Sequence, residues 1–131
     1  MQTALVERNG QFHIPSTALK TNRIILFFPE TDMRNSHVGL AKYAKRRQIF
    51  VNELRVGEYV VFLNAKKNNM KIYTANNIIV HLRTPDYSMI DLRVVKMIPE
   101  FFKGGSFDYS GALKKTIEST FGVKTGIARI H

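Results

Sequence analysis

The sequence predicts an α+β domain, an antiparallel sheet with two helices packed on one face, spanning residues 1–131 as a single unit. Three observations carry that expectation. Glu58–Leu63, Met70–Thr74 and Ile78–Arg83 are strand-like runs separated by turn residues. Asn9-Gly10 separates two short extended runs near the start of the chain. Two stretches, Thr31 to Arg47 and Ser106 to Gly122, show helical periodicity behind capping residues. With 131 residues, 44% of them apolar, the chain is long enough to bury one core.

The N-terminal hairpin is expected over residues 1–15. Asn-Gly accepts positive φ at both central turn positions, and Pro15 cannot donate to a ladder and ends it. Arg23 to Phe28 is a continuous apolar run stopped by Pro29, the pattern of a strand buried on both faces.

The first helix is expected from Thr31 or Asp32, either of which can cap it, to about Arg47. On a helical wheel Leu40, Ala41 and Ala44 share one side and Lys42, Lys45 and Arg46 another, with Arg34 on the same flank. Cations near a helix C-terminus also complement its dipole, which by itself accounts for such residues about as often as a ligand does.

The three central runs fix their own register. A three-residue turn at Ala75-Asn76-Asn77 puts Met70, Ile72 and Thr74 on the same face as Ile78, Val80 and Leu82. The opposite face then carries Val60, Phe62, Lys71, Tyr73, Ile79, His81 and Arg83, with Lys71 opposite His81. Met89 to Ile98 reads equally as strand or helix. Gly104-Gly105 interrupts the chain. Ser106 or Asp108 then caps a helix (residues 106–122) with Tyr109, Ala112, Leu113, Thr116, Ile117 and Phe121 inward and Gly122 as its stop.

Charge carries the functional signal. The chain has 20 Lys+Arg against 10 Asp+Glu, a formal net charge of +10. Self-repulsion of that kind adds nothing to fold stability, and a polyanion relieves it. Arg34, Lys42, Lys45, Arg46, Arg47, Lys66, Lys67, Lys71 and Arg83 come from neighbouring elements and are expected to form one basic surface. Tyr73, Tyr43 or His81 would offer a ring to an unpaired base. The expected partner is nucleic acid, DNA rather than RNA; a positive face docking on an acidic protein is the alternative.

Catalysis has less support. Divalent metals need several hard ligands, and His13, His37, His81 and His131 form no HxH or HExxH spacing, while Asp32 and Asp91 stand alone. No GxGxxG or P-loop is present. The expectation is no catalytic residue, no metal and no cofactor, with a small metal-dependent nuclease as the reading to test. Without cysteine, a long apolar span or a signal-peptide pattern, the chain reads as cytoplasmic, with no membrane partner.

The central segment resembles the small second-reading-frame protein, TnpB, of IS-sixty-six-class insertion sequences. The likeness rests on Thr31-Asp32-Met33-Arg34 with Gly39-Leu40, then Gly57, Val61-Phe62, Asn64, Lys66-Lys67 and Lys71-Ile72, over roughly half of the chain. The chain departs from that family in having no tryptophan. The resemblance implies an accessory role in transposition beside a separate transposase, with Arg34, Lys66, Lys67 and Lys71 as the matched DNA contacts. A second likeness, of Asn9-Gly10-Gln11-Phe12-His13-Ile14-Pro15 to the hairpin of AbrB-type regulators, covers under a fifth of the chain. It implies a dimeric DNA-binding regulator with Arg8 and Lys20 near DNA.

Overall fold

The computed structural model describes residues 6–8, 11–13, 23–29, 37–101 and 112–129. Its element order is β1 (Val6–Arg8), β2 (Gln11–His13), β3 (Arg23–Phe27), α1 (His37–Lys45), β4 (Glu58–Leu63), β5 (Asn69–Tyr73), β6 (Ile78–Arg83), α2 (Arg93–Phe101), α3 (Ala112–Phe121) and β7 (Lys124–Arg129). The seven strands form one sheet in chain order. All neighbours are antiparallel except β3 and β4, which run parallel from Arg23↔Glu58 to Phe27↔Phe62. A parallel pair needs a crossover, and the connection between β3 and β4 contains α1. The class is therefore α+β, with a mostly antiparallel sheet.

Two expectations need correction. The described residues hold three helices, not two, and they cover both faces of the sheet. On one face α1 packs Leu40 and Ala44 over Ile25, Phe27, Val60, Phe62, Tyr73 and Ile79. On the other, α2 and α3 bring Val94, Val95, Ile98, Phe101 and Ile117 against Ile24, Leu26, Val61, Ile72, Val80 and Leu82. The reason lies in β3 and β4. Ile24 to Phe27 and Tyr59 to Leu63 are buried without alternation, so each strand needs apolar cover on both sides.

The segment left open between strand and helix is α2. Asp91 accepts a hydrogen bond from the Arg93 backbone N–H at 2.9 Å, which caps the helix; Val94, Val95, Ile98 and Phe101 are its buried stripe, and Ile90 is buried just before it. At its far end α3 stops at Gly122, whose φ of +63° is the left-handed conformation expected there. Thr116, placed inward by the sequence, is exposed, whereas Ile117 is fully buried. Residues 102–111, with the start of the last predicted helix, and residues 31–36, with the start of the first, lie outside the described residues; α1 ends at Lys45 rather than Arg47.

The strand β7 has no counterpart among the sequence expectations. It pairs along the whole of β6, from Ile78↔Arg129 to Arg83↔Lys124, and forms one edge of the sheet. The predicted central register is borne out: Met70↔Leu82, Ile72↔Val80 and Lys71↔His81 are partners, and Thr74 N–H donates to the Ile78 carbonyl. Asn76 and Asn77 hold φ of 64° and 59° in the intervening turn, a conformation that asparagine tolerates better than most residues.

Candidate nucleic-acid interface

The α1 face of the sheet is covered only in part. Over β3, β4 and the far ends of β5 and β6, α1 seals an aromatic cluster. Phe27 and Phe62 stack at 5.5 Å, and Tyr43 and Tyr73 meet Phe62 edge-on at 6.1 and 5.3 Å. Toward the β4–β5 hairpin the same face continues past the helix into an open corner, and there the residue types change. On β5, Tyr73 gives way to Lys71 and Asn69; on β6, Ile79 gives way to His81 and Arg83; on β7, Ala128 gives way to Gly126 and Lys124. Pairing in the sheet aligns Lys71 with His81, His81 with Gly126 and Arg83 with Lys124.

Two depressions are lined by residues of these strands. One, of about 290 Å³, is lined by Lys71, Ile79, His81, Gly126, Ile127 and Ala128. The other, of about 430 Å³, is lined by Asn68, Asn69, Arg83, Thr84, Pro85, Tyr87 and Lys124. Neither lining contains an acidic residue. The ion pairs Arg23–Glu58, at 3.5 Å, and Arg93–Asp91, at 2.5 Å, lie elsewhere and involve neither Arg83 nor Lys124. Gly126 keeps the floor low, because a Cβ built there meets nothing within 4 Å.

The electrostatics agree with the geometry. His81 bonds through Nε2 to Asn69 Oδ1. Its pKa is held below the ordinary 6.5, first by partial burial and then by the positive charges of Lys71 and Arg83. Partial burial also lowers the pKa of Lys71. Lys71 and Arg83 disfavour the protonated His81 ring, and an anion bound beside it would favour that form.

The hairpin beside this corner is built by one side chain. Asn64 Oδ1 accepts from the backbone N–H groups of Asn68 and Asn69 at 2.9 and 3.0 Å, and its Nδ2 donates to Asn68 Oδ1 at 2.7 Å. Lys67 takes φ of 57°, donates its N–H to the Asn64 carbonyl, and sets its ammonium 5.8 Å from the Phe28 ring.

The contact residues expected from sequence therefore separate. Lys71, His81 and Arg83 come together in the open corner. Lys42 and Lys45 on α1 and Arg46 in the turn after it are exposed, away from the corner's strands, while Arg47 lays its guanidinium 3.6 Å over the Tyr43 ring. Lys66 is exposed at the hairpin tip, whereas Lys67 turns to Phe28, which packs with the α2–α3 core behind the sheet. Arg34 lies outside the described residues, as do Lys20 and Asp32. Tyr73 is a correction: only 2% exposed, it cannot present a ring face to a base. Burial pushes its hydroxyl pKa up to about 12.

Sequence reasoning missed Asn69, Lys124, Gly126 and Tyr87. Asn69 had a signal, since extending the register by one pair sets it opposite Arg83. Lys124 and Gly126 had none without β7. Asp91, weighed as a lone catalytic acid, caps α2 and pairs with Arg93. Among the described residues, no three His, Asp or Glu side chains cluster to hold a metal ion, and no helix is long and apolar enough to cross a membrane. No family model matches this chain, and neither does any curated protein or solved structure.

Proposed function

We propose that this chain is a non-catalytic DNA-binding protein whose phosphate contacts are made by the open corner of its sheet. The observation that carries the reading is the convergence of Lys71, Arg83 and Lys124 around His81 on one sheet face lined by no acid. Lysine and arginine neutralise phosphates and release condensed counterions, so the free energy of binding comes from salt displaced into solution. Contacts of this kind position a protein on DNA without reading its sequence. Lys42, Lys45, Arg46 and Lys66, exposed on other elements, extend the positive field and steer the ligand inward.

The wider role, as an accessory protein of a mobile element acting beside a separate transposase, rests on the resemblance of the central segment. Several of the shared residues do structural work here. Gly57 holds φ of 92°, Asn64 builds the hairpin, and Leu40, Val61, Phe62 and Ile72 are core. The likeness therefore supports a common β–α–β–β frame more directly than a common ligand. Lys71 is the matched residue that also sits in the open corner.

The test is a fluorescence anisotropy titration of labelled DNA against the full chain at several salt concentrations. Binding is expected to weaken steeply with salt, and reversing Arg83 and Lys124 to glutamate is expected to abolish most of it. Salt-independent binding, or unchanged affinity in the Arg83→Glu/Lys124→Glu variant, would refute the reading. Titration with an acidic peptide in place of DNA decides whether the face instead docks on an acidic protein.

A further inference from the structure

The larger depression has an aromatic wall that phosphate chemistry does not explain. Tyr87 is 84% exposed, more than any other large apolar or aromatic side chain among the described residues. It lines the same depression as Arg83 and Lys124. Its backbone takes φ of 61°, a region that bulky side chains avoid, so the chain holds this ring outward against a local cost.

The turn around it is pinned at both ends. Asp86 Oδ1 accepts from Ser88 N–H at 3.1 Å and from Ser88 Oγ–H at 2.6 Å. Thr84 Oγ–H donates to the Ser88 carbonyl at 2.6 Å, and Thr84 N–H continues the β5–β6 ladder to Asn68 at 3.1 Å. Tyr87 is thus the projecting residue of an Asx turn anchored on the sheet, beside two cations.

We infer that the ligand of this corner is single-stranded DNA, with one unpaired base stacked on the face of Tyr87 while Arg83 and Lys124 hold the flanking phosphates. The inference rests on the DNA-binding reading above and adds the strandedness of the ligand. Every base has a π-face, so a single exposed ring beside a cationic groove selects unpaired strands without selecting sequence. In a duplex the base faces are already stacked on their neighbours, and Tyr87 would have nothing to grip.

The experiment uses the full chain, a fluorescein-labelled thymidine oligomer, the same oligomer with abasic sites, and a labelled duplex of equal length. Tyr87→Ala is expected to lose about tenfold in affinity for the thymidine oligomer and to bind the duplex as the unaltered protein does. Tyr87→Phe keeps the ring and should keep the affinity. The unaltered protein should bind the abasic strand as weakly as Tyr87→Ala does, with the same dependence on salt. Tyr87 is exposed, so both variants should unfold at the temperature of the unaltered chain.

Undiminished binding of the thymidine oligomer by Tyr87→Ala, or equal losses on duplex and single strand, overturns the inference. So does loss of affinity in Tyr87→Phe. If Tyr87→Ala is neutral while Arg83→Glu/Lys124→Glu binds poorly, only the stacking idea fails; if both are neutral, the DNA-binding reading fails with it.

Discussion

On β5 the side chains of Tyr73, Lys71 and Asn69 leave the same sheet face, and on β6 so do Ile79, His81 and Arg83. The first of each trio lies under α1 in a stacked aromatic cluster; the rest lie beyond the helix, in a basic corner. Backbone geometry and hydrogen bonding are the same in both regions, so secondary structure does not separate them. What differs is cover. Where α1 excludes water, an uncompensated ammonium would be costly and the strand carries rings. Where it does not, the strands carry the half-buried Lys71 and His81 and the exposed Arg83.

Breaking the covered region should break the fold. Phe62→Ala removes the ring that Phe27, Tyr43 and Tyr73 all meet, and is expected to cost about 3–5 kcal/mol in chemical denaturation. By contrast, Arg83→Ala and Lys124→Ala, both at exposed residues, should stay within about 0.5 kcal/mol of the parent chain. A large loss of stability in the second pair would mean that the basic corner is part of the architecture.

The open corner can also be blocked without altering charge. Gly126 has free space above it and no positive φ, so Gly126→Phe should fold normally and fill the smaller depression. DNA affinity is expected to fall about tenfold, on the scale of one lost stacking or bidentate contact. Anisotropy with matched thermal melts distinguishes a blocked site from a damaged fold.

How far the sequence disclosed this division depends on the element. β4, β6 and the register of β5 were legible because alternating side chains and a three-residue turn permit only one pairing that buries the apolar set. That reasoning correctly placed Lys71 opposite His81 and set the polar residues on one face. It failed at Tyr73, because alternation tells which residues share a face but not how much of that face a helix covers. Cover on both faces was implicit in the unbroken runs Ile24–Phe27 and Tyr59–Leu63. Recognising α2 required giving weight to the spacing of Ile90, Val94, Val95, Ile98 and Phe101 together with the Asp91 cap. β7 was illegible for a different reason. Lys124-Thr125-Gly126-Ile127-Ala128-Arg129 is a polar edge strand with Ile127 39% exposed, and its pairing with β6 rather than its own burial makes it a strand. Two of the corner's residues, Lys124 and Gly126, were lost with it.

Acidity sharpens the comparison further. His81 has a folded pKa below 6.5, so as pH drops through 6.5 the unfolded chain takes up a proton that the folded chain resists. Stability should therefore decline over that window, and His81→Gln should remove the decline in melts between about pH 5 and pH 8. Bound phosphates would act in the opposite direction and favour the protonated ring. DNA affinity should thus rise a few-fold on mild acidification, because a ligand that raises the imidazole pKa by about one binds the protonated form about tenfold more tightly. The His81→Gln variant should not show that rise.

The smallest effect is expected at the C-terminal end of α1 and the turn that follows it. Neutralising Lys42, Lys45 and Arg46 to glutamine leaves the sheet corner intact, and affinity at physiological salt should change by less than about threefold, as expected for screened charges at a distance. A loss comparable to that of Arg83→Glu/Lys124→Glu would relocate the contact surface to the helix.

The most direct test of the central claim is the salt dependence of DNA binding with Lys71, Arg83 and Lys124 all changed to glutamine. A plot of log affinity against log salt should lose about two to three units of slope, close to one for each phosphate contact removed. An unchanged slope and affinity would contradict the claim that this corner of the sheet is where the protein meets its ligand.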